Sequence, residues 1–314
     1  MNSRRPTASR LLPILLALGG LAGACGGSTP HGATTPSGES ASYPIHLQRA
    51  HHVGERYLVV DEVTQREQRT VTVSGQVVED VDQTTTVRLA AAVQVLEVDA
   101  NGKAVRLRYQ VQSCERTKAG EVQPLLRQGQ VVEVETAATR GEARMTIDGA
   151  PATDEQLEAL DAVITLTRSA KNDDALFGST TPRAAGETWQ PDFAAIAESL
   201  SSASPFRLDA ARMSGSVRLV ERRNEGPVPG LVVEAEVDAV DARMNGLPPG
   251  TNVRRGELRL EMGGFFPLDV AMPPLVQTTG LAVALDLDVP TPQGTADMTV
   301  RVTMQGQKRI EPVR

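Results

Sequence analysis

Thr85–Val111 reads TTVRLAAAVQVLEVDANGKAVRLRYQV and decides the fold. Apolar residues occupy every second position in Val87–Val95 and again in Val105–Val111. This period of two is typical of a β-strand with one buried and one solvated face. The intervening Asp99–Gly102 segment (DANG) contains Asn-Gly, which supplies the positive φ angles of a tight hairpin. The stretch therefore predicts two long antiparallel strands joined by a short turn.

The same alternation recurs along most of the chain. Further runs lie at Val71–Val73, Val132–Val134, Met145–Ile147, Val217–Leu219, Leu231–Val237, Leu258–Met262, Leu281–Val289 and Met298–Met304. Strands joined by short hairpins are antiparallel. The sequence therefore predicts a mainly β (α+β) fold of ten or more strands in long, curved antiparallel sheets.

Two segments follow a helical period instead. Thr153 and Gln156 form a capping box before an apolar stripe that continues to about Ser169. A second stripe begins at Pro191 and continues to Leu200. Both segments are predicted to be amphipathic helices packed against the sheet.

Three short motifs recur in the same order and favour an internal duplication. The pairs are Gly54–Tyr57 with Gly186–Trp189, Val87–Leu89 with Val217–Leu219, and Arg140–Arg144 with Arg255–Arg259. A duplication predicts half-repeats over about 45–150 and 186–264, followed by a C-terminal hairpin. The alternative is chance similarity, because short motifs of common residues recur freely.

The N-terminus carries a basic and then apolar leader. Its basic residues are Arg4, Arg5 and Arg10. The uncharged run Leu11–Ala24 is too short to cross a bilayer as a helix, and it ends in LAGA before Cys25. This pattern resembles a bacterial lipoprotein signal peptide, which implies lipidation of Cys25 and removal of residues 1–24. The alternative is an ordinary secretory signal in which the cysteine is incidental.

The residue after the cysteine, Gly26, carries the sorting information in such lipoproteins. The resemblance implies attachment to the outer membrane of a Gram-negative cell, facing the periplasm. Residues 25–42 are rich in Gly, Ser, Thr and Pro, and are predicted to be a flexible linker. Its mean span is roughly 20 Å. Residues 43–314 are predicted to form one β-rich envelope domain.

Composition excludes some classes of function. Beyond residue 24 the chain has 29 basic and 39 acidic residues, an acidic balance that weighs against nucleic acid as a partner. Ser74 and Ser214 each precede a glycine, but neither lies in Gly-x-Ser-x-Gly, and no histidine follows His52. The sequence therefore predicts a protein that is not an enzyme.

The residues able to bind a metal or act as a nucleophile match no known signature. His46, His51 and His52 lack the spacing of a zinc site, and Asp99–Gly102 lacks the distal Glu of a calcium loop. No metal and no cofactor are predicted. Cys114 is predicted to be a small buried residue on the face opposite Tyr109 and Val111.

Larger motifs give a second resemblance. The opening Gly-x-x-Tyr, the hairpin, Phe177-Gly178 and Gly-x-Trp are together similar to a bacterial lipoprotein domain of unknown function over residues 45 to 310, which implies no activity. At the level of architecture, the chain also resembles the lipoprotein-carrier fold of the bacterial envelope. Neither resemblance identifies a site.

Two functions follow from these expectations. The first is a membrane-anchored, non-catalytic scaffold or adaptor that meets an envelope protein partner. The alternative is binding or transfer of a lipid or other amphiphile in a cavity between sheet and helices. In that case Lys171–Arg183, predicted to be a long loop, would close over the ligand through Leu176 and Phe177. Otherwise Phe177 packs as a plug in a solid interior.

Overall fold

The computed structural model describes residues 41–136, 143–164, 173–292 and 294–313. The strands are β1 (Ser42–Ile45), β2 (Arg56–Val73), β3 (Gln76–Val98), β4 (Ala104–Lys118), β5 (Glu121–Leu126), β6 (Val131–Thr136), β7 (Ala143–Ile147), β8 (Ala150–Pro151), β9 (Ser179–Ala184), β10 (Thr188–Trp189), β11 (Phe206–Arg207), β12 (Met213–Glu225), β13 (Val228–Val240), β14 (Arg243–Met244), β15 (Asn252–Pro267), β16 (Val276–Thr291) and β17 (Gly294–Pro312). The helices are α1 (Asp154–Val163), α2 (Asp173–Phe177) and α3 (Phe193–Ala203), with a 3-10 turn at Ala210–Arg212. The predicted mainly β fold is confirmed.

Thirteen of the described strands form one antiparallel sheet. Its order is β10-β12-β13-β15-β16-β17-β2-β3-β4-β6-β7-β8, with β5 also paired to β4. The C-terminal hairpin β16–β17 lies in the middle, because β17 pairs along the whole of β2. Two small ribbons, β1–β9 and β11–β14, lie outside this sheet. We call the sheet face that carries Val63, Leu89 and Val111 the buried face.

The hairpin between β3 and β4 is confirmed, with a different turn from the one predicted. Gly102 alone takes a positive φ, of 75°, whereas Asn101 does not. The Asp99 carboxylate accepts hydrogen bonds from the backbone N–H of Asn101 at 2.8 Å and of Lys103 at 2.9 Å. The Asp99 side chain therefore holds the turn, and one glycine is sufficient.

Helix α1 begins as predicted and ends early. The Thr153 hydroxyl accepts from the Gln156 N–H at 3.3 Å, and the Gln156 side chain accepts from the Thr153 N–H at 3.0 Å, which confirms the capping box. Ile164 is already extended, so the predicted continuation to Ser169 is wrong at this residue. The β-branched pair Val163-Ile164 has low helix propensity, which favours an end here. Residues 165–169 lie outside the described chain.

Helix α3 begins at Phe193, two residues later than predicted. Asp192 is its N-cap and accepts from the Ala195 N–H at 2.9 Å, so Pro191 precedes the helix. Helix α1 neighbours β2 and β3, whereas α3 neighbours β11, α2 and the 3-10 turn. The packing of both helices on the sheet stays a prediction. Within the described chain, no helix has the length and apolarity needed to cross a membrane.

The segment predicted as a long loop, Lys171–Arg183, is ordered in its described part. Helix α2 occupies Asp173–Phe177, and β9 begins at Ser179 and pairs with β1. The Asp174 carboxylate accepts hydrogen bonds from the backbone N–H groups of Leu47 and Gln48, which ties α2 to the chain that follows β1. The loop prediction is wrong here because β9 forms by pairing with β1, and a partner so remote in sequence leaves no local pattern within Lys171–Arg183.

The duplicated Gly-Glu motifs have the same local structure. Gly54 and Gly186 have φ angles of 89° and 87°, and each donates its N–H to a strand carbonyl, that of Val95 and that of Leu219. Strand pairing therefore makes Val95 and Leu219 equivalent. By this equivalence, Val87–Leu89 and Val217–Leu219 do not occupy corresponding positions in the two proposed halves. The third motif, Arg140–Arg144, lies partly outside the described chain, and the half-repeats stay a prediction.

Truncating Leu160 on α1 tests the predicted core. The side chain is fully buried, so Leu160→Ala should lower the free energy of unfolding by about 2 to 5 kcal/mol. Urea unfolding followed by circular dichroism measures this loss. Leu268→Ala, at a residue that is 37% exposed, is the matched control and should change little. A Leu160→Ala midpoint equal to that of the native chain would contradict the burial of this helix face.

Candidate functional site: a cleft between helix α1 and strands β2–β4

Strand β4 contains an irregularity that decides what faces the cleft. Ala91 lies opposite Val111, but the preceding Ala90 lies opposite Ser113. Gln112 is therefore an extra residue on β4, which is a β-bulge. A bulge shifts the alternation of side chains by one position, so the residues beyond it change face.

The residues beyond the bulge that lie on the buried face are Cys114, Arg116 and Lys118. Cys114 thus shares a face with Tyr109 and Val111, and the prediction that it lies opposite them is wrong because of the bulge. Its predicted burial is confirmed: it is 1% exposed, and burial raises the pKa of the Cys114 thiol to about 12. A thiol with so high a pKa is a poor nucleophile.

A cleft of about 60 Å³ lies between α1 and β2–β4. Its apolar lining is Val63, Val87, Ala159 and Ala162, and its polar lining includes Gln65, Gln83, Thr85, Glu67, Arg116, Lys118 and Glu158. The volume has room for about four water molecules. The cleft is therefore small, and its surface is half apolar and half polar.

Arg116 is held rigidly at the edge of the cleft. Its Nη2 donates to the Glu155 carboxylate at 2.5 Å and to the Gln123 amide oxygen at 2.8 Å. Its Nε is buried and has no hydrogen-bond partner in the described chain. The guanidinium thus has a fixed orientation and one unsatisfied donor.

Glu67 is the buried acid of the cleft. It is 6% exposed, and its carboxylate lies 3.6 Å from Arg69 Nη1. Burial raises the pKa of the Glu67 carboxyl, while the charges of Arg69 and Lys118 lower it and that of Glu79 raises it further. Arg69, which also pairs with Glu79 at 2.7 Å, therefore offsets only part of the cost of burying Glu67.

A buried ion pair lies further along the same face of β2. Lys308 Nζ is 3.2 Å from the Asp61 carboxylate, with the Asp61 side chain 10% exposed. Burial raises the pKa of the Asp61 carboxyl, and the Lys308 ammonium offsets part of this shift. Sequence reasoning missed this pair. Asp61 interrupts the alternating run Tyr57, Val59 and Val63, and a charge at such a position was the available signal.

The residues that the sequence singled out lie elsewhere. His46 Nδ1 is 3.5 Å from Asp174, and His51 Nδ1 is 3.0 Å from Glu55. The described residues contain no group of three side chains placed to hold a metal ion. Ser74 lies in the β2–β3 turn, and Cys25 lies outside the described chain.

Leu176 and Phe177 are core residues. They are 2% and 1% exposed, and Trp189 Nε1 donates to the Phe177 carbonyl at 3.1 Å. This arrangement agrees with the plug rather than with a lid over an open cavity. The cleft beside α1 is a different place, which the sequence did not indicate.

Comparison with known proteins adds little. No family model and no curated protein matches the chain. Among solved structures, one of lipovitellin that concerns lipid–protein interactions covers 84% of this chain at 8% identity and a TM-score of 0.31, and the chain spans about a quarter (26%) of lipovitellin. DynF from the dynemicin biosynthesis pathway of Micromonospora chersina aligns with 90% of this chain and 94% of its own length, at 10% identity and a TM-score of 0.14. An outer membrane channel of Pseudomonas putida F1 aligns with 88% of this chain and with its own full length, at 8% identity and a TM-score of 0.19. Scores this low carry no argument.

Proposed function

We propose that this protein is a lipid-anchored, non-catalytic protein of the bacterial cell envelope that binds an amphiphile in the cleft beside α1. The leader before Cys25 supports the anchor, and Gly26 after it supports attachment to the outer membrane, facing the periplasm. The observation that carries the binding function is the lining of the cleft, which combines apolar side chains with polar and charged ones. The scaffold or adaptor function is the alternative that remains if the cleft binds nothing.

The entry of the chain into the fold is compatible with a tether. The linker ends at β1, which pairs with β9 outside the main sheet. The described core extends from Ile45 to Ile310. An anchor at Cys25 would hold the domain near the membrane, and a fragment beginning at Ser42 keeps the whole described core.

The cleft has the chemistry of an amphiphile site. Val63 and Val87 offer apolar contact from the sheet, and Ala159 and Ala162 offer it from α1 with minimal side-chain volume. Ligand sites combine such apolar walls with a few polar groups that orient the ligand. At about 60 Å³ the cleft holds one phosphate or carboxylate group, or a few carbon atoms of a chain. A longer chain requires α1 to move away from β2 and β3.

Filling the cleft tests this function. The fragment from Ser42 is prepared from membrane-containing cells, and its bound molecules are measured by native mass spectrometry and organic extraction. We expect a stoichiometric amphiphile in the native fragment and at least a tenfold loss in Ala159→Leu, because the new side chain fills the cleft. Ala271→Leu, at an exposed loop position, is the matched control.

Thermal unfolding shows whether each variant is folded. If Ala159→Leu is unfolded, the smaller Ala162→Val replaces it. Native protein that is free of amphiphile in every preparation would overturn the proposed function, and so would a folded cleft variant that retains the full amount.

A further inference from the structure

We infer that the cleft recognises an anionic, oxygen-rich head group through Arg116 and Lys118. This inference rests on the proposed function, and it specifies the class of ligand. Three observations support it, which are the bulge on β4, the unsatisfied donor of Arg116 and the absence of an ion-pair partner for Lys118 among the described residues.

The bulge sets the sign of the charge that β4 presents to the cleft. With regular alternation after Val111, Glu115 and Thr117 would point to the buried face. The extra residue Gln112 turns them away and places Arg116 and Lys118 there instead. Bulges next to functional sites commonly redirect side chains in this way. Here one inserted residue replaces a carboxylate in the cleft by two cations.

Arg116 presents a donor with no acceptor. Its side chain is 16% exposed, and Glu155 fixes the guanidinium at 2.5 Å. A buried N–H group without a partner is destabilising, and a ligand oxygen would satisfy the enclosed Nε donor once the side chains around it move apart. A positioned guanidinium also suits phosphate and carboxylate oxygens, which accept more than one of its hydrogen bonds.

Lys118 supplies a charge that acts on Glu67 at a distance but forms no close ion pair in the described residues. The other lysine on the buried face, Lys308, pairs with Asp61, whereas Lys118 has no ion pair in the described residues. The buried acid of the cleft, Glu67, lies against Arg69. The remaining acid, Glu158, also lines the cleft, and it is exposed to solvent. An anionic head group therefore gains the attraction of Lys118 and Arg116, while solvent screens the charge of Glu158 and Arg69 offsets part of that of Glu67.

Calorimetric titration of the fragment from Ser42 tests the inference. The probes are dihexanoyl phosphatidylglycerol, which is anionic, dihexanoyl phosphatidylcholine, hexyl glucoside and inorganic phosphate. We expect phosphatidylglycerol to bind at least tenfold more tightly than the other two amphiphiles. Lys118→Gln should weaken its binding by roughly tenfold, the size expected for one charge-assisted hydrogen bond.

Arg108→Gln is the matched control. It removes one positive charge from the same strand, but Arg108 lies on the opposite face and donates to Glu133 at 2.7 Å. Its affinity for phosphatidylglycerol should equal that of the native fragment. Equal losses in Lys118→Gln and Arg108→Gln would show a net-charge effect only and would overturn the inference.

The two proposals fail differently. Similar binding of all three amphiphiles keeps the proposed function and overturns the anionic head group. Binding of inorganic phosphate alone, lost in Lys118→Gln, supports the anion site and overturns the amphiphile. If no probe binds, both proposals are wrong.

Discussion

Cys25→Ser should abolish the incorporation of labelled fatty acid into the protein. The thiol of Cys25 is the acceptor that the leader resemblance implies, and a serine hydroxyl does not replace it in this processing. The expected product is an uncleaved precursor or a chain without lipid. Metabolic labelling with a fatty acid, followed by immunoprecipitation and gel electrophoresis, measures the effect, which should be complete.

The chain contains a matched control for this experiment. Cys114 is the second of its two cysteines and is buried in the sheet, so Cys114→Ser should keep full labelling. Label that persists in Cys25→Ser would contradict the anchor, and label lost in both variants would point to a folding defect.

The second large effect is expected at the buried ion pair. Asp61→Ala leaves the Lys308 ammonium on the buried face without its partner, 3.2 Å away in the native chain. Removing one member of a buried pair should lower the free energy of unfolding by about 3 kcal/mol, at the low end of the usual range. The low end applies because the Lys308 side chain is 26% exposed and can turn toward water. Urea unfolding measures the loss.

A double variant separates the lost pair from lost packing. Asp61→Leu with Lys308→Met replaces both charges by apolar groups, and its stability should return close to that of the native chain. Asp82→Ala removes an exposed partner of Arg66 and should leave the unfolding midpoint unchanged. A double variant as unstable as Asp61→Ala would show that the charges themselves are not the source of the effect.

The sequence by itself determined the local structure. The alternation of apolar residues located the long strands, and the capping box at Thr153 located the start of α1. The Asp99–Gly102 segment located the hairpin. These features are legible because a strand period, a helix cap and a turn each depend on residues within a few positions of one another.

Only the tertiary structure decided the cleft and the ion pair. Asp61 meets Lys308 because β17 pairs with β2, strands near opposite ends of the chain. Arg116 and Lys118 reach the cleft because β4 has one residue more than β3 between two paired positions. The buried residues Val111 and Cys114 are three positions apart instead of two, which is a weak sign of that bulge in the sequence. Alternation within one strand fixes which residues share a face, but the register against its neighbours fixes which face that is.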